Sequence, residues 1–329
     1  LTDRTRSGKP RLGDKRGMGM DRAAAGRRFR ERLDHVAHAT ESMLERLLST
    51  NTLPGETTRP PRLIEAMRYA ALGGGKRLRP FLVIETARLF GVEDEGALRT
   101  GAALEMIHCY SLVHDDLPAM DDDDLRRGRP TAHRAFDEAT AILAGDALLT
   151  YAFDVVADPL THPDPAVRSK LVLKLARASG LGGMVGGQVL DLAAEQKSEK
   201  HTEAAVRQLQ AMKTGALLLY AVEAGAILGR ADKKQSAALS RYGAALGAAF
   251  QVADDVLDEE GDEAALGKRA GKDAGRNKAT LVAALGIDAA RKRRDRLAQE
   301  AIAALKDGGF GPRGAVLAEA AHFTVERRN

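Results

Sequence analysis

From Asp21 onward, apolar side chains recur at intervals of three and four residues, and Ala, Leu, Glu and Arg fill most of the positions between them. That period belongs to amphipathic helices, whereas the strict alternation that marks strands is sparse. The pattern predicts helices at roughly 22–50, 60–72, 77–90, 95–118, 131–157, 165–194, 202–229, 233–259, 279–306 and 312–327, and no strand. Breaks fall at Leu53-Pro54-Gly55, at Gly91, from Asp158-Pro159 to Pro165, and at Gly308-Gly309, where proline removes a backbone donor and glycine favours a turn. No linker or shift of composition divides the body. Residues 21–329 therefore read as one all-α domain, a single large helical bundle of the kind that houses a deep central cavity between its helices. No apolar run reaches the length and continuity expected of a membrane span.

Charge adds a second division. The chain carries 50 Lys and Arg against 46 Asp and Glu, yet eleven of the basic and four of the acidic residues lie in the first 32 positions. Residues 1–20 are rich in Gly and Arg, lack apolar periodicity and are expected to form a disordered basic extension. They contain no apolar core of a secretory signal. A nucleic-acid partner would have to use this tail, because the rest is slightly acidic; none is expected. The single Cys109 excludes an intrachain disulfide and suits a reducing, cytoplasmic setting.

The candidate chemistry lies in two acidic runs about 140 residues apart, Asp115-Asp116-Leu-Pro-Ala-Met-Asp121-Asp122-Asp123-Asp124 and Asp254-Asp255-Val-Leu-Asp258, each closing an apolar helical pattern. One such run usually means a solvated helix end. Two of the same form point to shared cations, since crowded carboxylates repel unless something neutralises them. Asp254 and Asp258 share a helix face at i,i+4. In the first run Pro118 interrupts the helix, and periodicity leaves open which of Asp121 and Asp122 turns inward. Oxygen-only donors favour a hard ion, magnesium before manganese. Arg126-Arg127-Gly128-Arg129-Pro130 follows directly, and guanidinium forks beside a metal rim suit a diphosphate. Further basic residues stand near glycines in Gly73-Gly74-Gly75-Lys76-Arg77-Leu78-Arg79, Lys213-Thr214-Gly215 and Gly267-Lys268 through Lys278, where backbone can approach an anion closely. His108 lies at i,i+7 from Asp115, on the same face. His114 reads as packing, and Gln188 and Asp191 either line the cavity or bond to neighbouring helices.

The motifs GGGKRLRP, HCYSLVHDDLPAMDDDDLRRGRPTAH, AILAGDALL, GLGGMVGGQVLDL, KTGAL, FQVADDVLDEEGD and LGKRAGKDAGRNKATLV resemble, in order, those of the short-chain trans-polyprenyl diphosphate synthases, most closely the bacterial farnesyl branch. The resemblance spans residue 25 to the end. It implies a magnesium-dependent homodimeric prenyltransferase that joins isopentenyl diphosphate to dimethylallyl or geranyl diphosphate. It assigns metal binding to Asp115, Asp116, Asp121, Asp254, Asp255 and Asp258, and isopentenyl diphosphate to Lys76, Arg79, His108 and Arg127. The allylic diphosphate falls to Arg126, Lys213, Thr214, Gln251, Lys268 and Lys278; Lys213, Thr214, Gln251 and Lys268 take catalytic roles. Tyr110 and Ser111 are the chain-length positions, roughly 6 to 8 Å below Asp115 at 1.5 Å per residue. A bulky Tyr110 implies a stop at C15, farnesyl diphosphate. The two-residue Pro118-Ala119 widening keeps a C20 product as the alternative, and an inactive regulatory subunit is the non-enzyme alternative.

Overall fold

The computed structural model describes residues 12–92, 95–196, 201–260 and 280–326, with 12–24 as backbone alone. Lys268, Lys278 and the glycine-lysine run around them lie outside the described residues. Helix α1 (Leu12–Leu47) starts ten residues before the expected position, inside the segment read as a disordered extension. It is followed by α2 (Pro61–Ala71), α3 (Leu78–Arg88) and α4 (Glu95–Asp115). A two-residue ribbon then pairs β1 (Leu125–Arg126) with β2 (Arg129–Pro130), which corrects the expectation of no strand. Its two connecting residues, Arg127 and Gly128, both have positive φ, as the tightest hairpins require.

The expected helix at 131–157 is two, α5 (Ala132–Ala135) and α6 (Glu138–Ala157), divided where the Asp137 carboxylate accepts the Thr140 N–H and starts α6 afresh. The one at 165–194 is also two, α7 (Pro165–Ser179) and α8 (Met184–Glu195), separated by the Gly180–Gly183 turn. The expected helix at 202–229 is helical from Glu203 to Leu228, but α9 (Glu203–Gln210) and α10 (Ala216–Leu228) are joined by a π-helical turn, Ala211–Gly215. Then come α11 (Lys233–Glu260), α12 (Leu281–Leu285), α13 (Ile287–Asp307) and, after a short 3-10 turn, α14 (Ala315–Glu326). Gly286, at φ 83°, separates α12 from α13.

The centre of the bundle is α10, packed on α3, α7 and α11, with α4 between α3 and α6. Gly225 permits its closest approach, for a Cβ there would lie 2.5 Å from the Val83 carbonyl on α3. Two stretches, Glu138–Ala157 and Glu203–Leu228, are apolar and long enough to cross a membrane, against the expectation that none is. Both pack within the bundle, and the second is interrupted by the π turn and carries Lys213.

The apolar interior falls into two main bodies. The larger runs through α1, α3, α4, α6, α10 and α14, with Phe29, Phe81, Leu104, Ile107, Tyr220 and Leu317 among its fully buried members. The smaller gathers Val206 and Leu209 of α9, Val252 and Val256 of α11, Leu281 and Val282 of α12, and Leu297 of α13. The helices α11 and α13 pass through both.

Candidate active site

The last turn of α4 and the chain after it form the acidic rim. Beyond Asp115 the backbone doubles back onto the helix end: Leu117 N–H donates to His114 O (3.2 Å), Asp121 N–H to Asp115 O (2.8 Å) and Asp122 N–H to Leu117 O (3.1 Å). This is how Pro118 ends the helix while returning the second pair of aspartates to the first. Asp121 is half-buried and acts electrostatically on Asp115, whereas Asp122, at φ 48°, is exposed. Asp121 is thus the one turned inward. The Asp115 carboxyl is pushed up to about 6 by burial; Lys213 and Arg126 oppose the shift, and Asp121 and Asp116 add to it. Asp115 therefore stands among groups from two parts of the chain, the run from Asp116 to Arg126 and the distant Lys213.

Asp116 has a different role from its neighbour. It is buried and accepts a bidentate fork from Arg126, Nε at 2.8 and 2.9 Å and Nη2 at 2.6 Å. The fork seats β1 against the end of α4. On the other side of the ribbon, Arg127 donates to the Gly74 carbonyl, and a Cβ on Gly75 would lie 2.6 Å from the Arg127 guanidinium. Gly74 and Gly75 have φ of 80° and 127°, so glycine is required both by conformation and by contact. This joins the two basic segments, one before α3 and one after α4, that the sequence holds apart.

His108 sits behind that junction. Its imidazole is held well below its usual pKa by burial, and by the surrounding charges of Arg79, Arg127, Arg126 and Arg77. It is therefore a neutral hydrogen-bonding group among cations. Arg79 is lowered by burial, and its Nε is buried without a partner; Asp254 is among the charges that act on it. The Lys76 ammonium stands 5.6 Å above the Phe323 ring of α14.

Lys213 and Thr214 lie in the π turn, a geometry that recurs at functional sites. Helix α8 presses on this turn through Gly187, where a Cβ would fall 2.5 Å from Lys213 Cα. That approach brings the Asp191 carboxylate to the Lys213 ammonium at 2.5 Å. Of the two readings open for Asp191, the bond to a neighbouring element is the one found. The Gln188 Oε1 is buried without a partner.

On α11, Asp254 and Asp258 are half-buried and Asp255 is buried. Asp255 accepts from the Leu281 N–H (2.7 Å), Gln210 Nε2 (2.8 Å) and Gln251 Nε2 (3.3 Å), and burial pushes its carboxyl up to about 6. Its oxygens fasten α12 and α9 to α11, a use different from the metal binding expected of it, and Gln251 is occupied by the same carboxylate. Asp116, also expected at the metal, is engaged by Arg126. Among the described residues no three Asp, Glu, His or Cys side chains converge into a ready-made metal cage.

Tyr110 is buried on α4, its hydroxyl pushed up to about 12 by burial and by Asp115. The Ser111 hydroxyl donates to its own helix at His108 O (2.9 Å). Two residues of the site went unassigned in the sequence: Arg77 and Glu105, a fully enclosed ion pair at 2.8 Å directly behind Lys76 and Arg79. The available signal was a glutamate, Glu105, within the apolar stretch Ala102–Ile107 of α4.

Comparison with known proteins agrees with this architecture. The polyprenyl synthetase family model matches residues 60–307. The farnesyl diphosphate synthase of Escherichia coli is 46% identical over 281 residues, 84% of this chain and 91% of that protein. The one from Haemophilus influenzae is 43% identical over 305 residues, 92% and 99% of the two chains. Among solved structures, the FPP/GFPP synthase of Zymomonas mobilis superimposes with a TM-score of 0.80 at 44% identity, covering 90% of this chain and 99% of its own.

Proposed function

Because this chain belongs to the polyprenyl synthetase family, we propose that it is a prenyltransferase condensing isopentenyl diphosphate head-to-tail with dimethylallyl and geranyl diphosphate, with farnesyl diphosphate as its main product. The observation that carries the reading is the meeting of Asp115 with Lys213, Asp121 and Arg126 at one buried rim, beside the arginine-lined His108.

The residues present fit magnesium. Asp115 is pushed up to about 6 chiefly by burial, and Asp121 and Asp116 add to the rise, so a cation among these carboxylates is favoured, and the donors are all oxygen. An open rim suits an ion that keeps waters and shares substrate phosphates. Asp115, Asp121, Asp254 and Asp258 would hold it, with manganese as a substitute. When bound, the ion neutralises charge on the departing diphosphate.

The chain's own groups do the rest. Lys213 and Arg126 are fixed cations for the allylic diphosphate, and an incoming phosphate oxygen competes with Asp191 for the Lys213 ammonium. Lys76, Arg79 and Arg127 hold the isopentenyl diphosphate, and neutral His108 adds a hydrogen bond without adding charge. Thr214 and Gln251 would help to stabilise the allylic cation and its leaving group. The allylic C–O bond ionises, the isopentenyl double bond attacks the cation, and a proton leaves to the released diphosphate. Tyr110 would stop growth at C15. Exposed apolar residues on α6 (Ile142, Leu143) and α8 (Val185, Val189, Leu190) support a homodimer, since such patches mark contact surfaces. A cytoplasmic location accords with these roles.

The test incubates the protein with radiolabelled isopentenyl diphosphate and each allylic starter, with magnesium and with EDTA, then dephosphorylates and separates the alcohols. Farnesol that disappears with EDTA is expected, and Tyr110→Ala should shift the product toward geranylgeraniol. Geranylgeraniol from the unaltered protein would refute the Tyr110 stop. No metal-dependent elongation would favour an inactive subunit.

A further inference from the structure

The Tyr110 ring does not stand alone. His114, one helical turn along on the same face of α4, meets it edge to face, with ring centroids 5.8 Å apart and an interplanar angle of 79°. The imidazole in turn is seated in α6. Its Nε2–H donates to the Ile142 carbonyl at 3.1 Å, and Asp146 Oδ1 lies 3.9 Å from the same nitrogen. Between these two residues stands Gly145, where a Cβ would lie 2.5 Å from the imidazole Cδ2 and 2.9 Å from Cε1. A glycine inside a helix costs about 1 kcal/mol relative to alanine, so its presence at a buried position calls for a packing reason. Here the reason is the ring that fills its place.

Resting on the reading of Tyr110 as the floor of the elongation cavity, we infer that His114 and Gly145 are positioning residues for product length: Gly145 opens a seat in α6 for the His114 ring, and that ring braces Tyr110. The floor is then a property of two helices rather than of one side chain. Neither residue touches the reacting atoms. An edge-to-face aromatic contact shifts a rotamer population by roughly two- to ten-fold. A shift of that size in the ratio of C20 to C15 product is expected when the brace is lost.

The experiment measures product ratios for the unaltered protein, His114→Ala, His114→Asn and Gly145→Ala, alongside Tyr110→Ala. His114→Asn keeps a donor for the Ile142 carbonyl but removes the ring. All three brace variants should move toward C20, in the direction of Tyr110→Ala but less far, whatever happens to kcat. Calorimetric affinities for C15 and C20 thiodiphosphate analogues read the same floor in any variant too slow to assay. Unchanged product ratio and analogue preference in His114→Ala and Gly145→Ala, with Tyr110→Ala lengthening as expected, would overturn the brace while leaving the Tyr110 stop intact. If Tyr110→Ala also leaves the ratio unchanged, the underlying reading fails instead. A His114→Asn protein that keeps the native ratio would assign the effect to the hydrogen bond and refute the ring contact.

Discussion

Replacing Arg77 by methionine removes the cation from the most enclosed ion pair among the described residues. The Arg77 side chain is 0% exposed and that of Glu105 is 2%, with Nη1 and Oε1 at 2.8 Å. Nη2 also donates to the Ala71 carbonyl at 2.7 Å and reaches Glu41 at 3.4 Å. The second Glu105 oxygen already lacks a partner, so Arg77→Met leaves a buried carboxylate without its hydrogen-bonded cation, answered by the charge of Arg79. Breaking such a pair costs about 3–5 kcal/mol. At roughly 2 °C per kcal/mol for a chain of this size, the melting temperature should fall by about 6–10 °C. Glu105→Leu in the same protein should restore most of the loss, because a buried pair exchanged for apolar side chains is often neutral. Scanning calorimetry and urea titration of the three proteins test this. Arg77 also sits at φ 49°, between Lys76 and the start of α3, so the double variant should recover stability yet keep a raised KM for isopentenyl diphosphate and an unaltered KM for the allylic substrate. A single variant within about 1 kcal/mol of the parent, or a double variant no more stable than the single one, would refute the reasoning.

Gly187→Ala places a methyl group against the backbone of Lys213, and overpacking of this kind costs about 1–3 kcal/mol; kcat should fall more than stability, because the π turn moves with its lysine, and a loss of stability without loss of kcat would count against that. His108, held well below the usual histidine value, should show no imidazole titration by NMR between pH 6 and 8. A depressed histidine adds stability that is complete above the unfolded value of about 6.5 and is lost as pH falls toward the folded one, so urea midpoints should decline below pH 6.5.

Helix class and position were legible in the sequence because they depend on a local period. The splits were less so. Asp137 and Gly286 each restart a helix through one cap or one positive φ, which a run of apolar residues on both sides conceals. The π turn leaves no local mark, and Gly187, which stands against its backbone from α8, lies more than twenty residues away in sequence. The aspartates were legible by density alone, but density does not say where each oxygen points: Asp116 and Asp255, identical in type to their neighbours, are bound to Arg126 and to the start of α12. Arg77 was hidden within a basic run whose other members face the site.

The two apolar bodies divide the catalytic groups between them. Arg79 and His108 lie on α3 and α4, helices of the larger body, with Asp115 at the end of α4, while Asp255 ties the second aspartate helix to the smaller one through α9 and α12. Local opening costs less where fewer apolar side chains are buried together, so the smaller body is expected to open more readily. A diphosphate held through cations between Asp115 and Asp254 would require both to be closed. At a hundred times its dissociation constant such a ligand adds about 2.7 kcal/mol to closure, near a hundred-fold in amide protection. That protection should appear in α9, α12 and the last turns of α11, and leave α3 and α10 as they were, so that substrate binding is also the act that completes the fold.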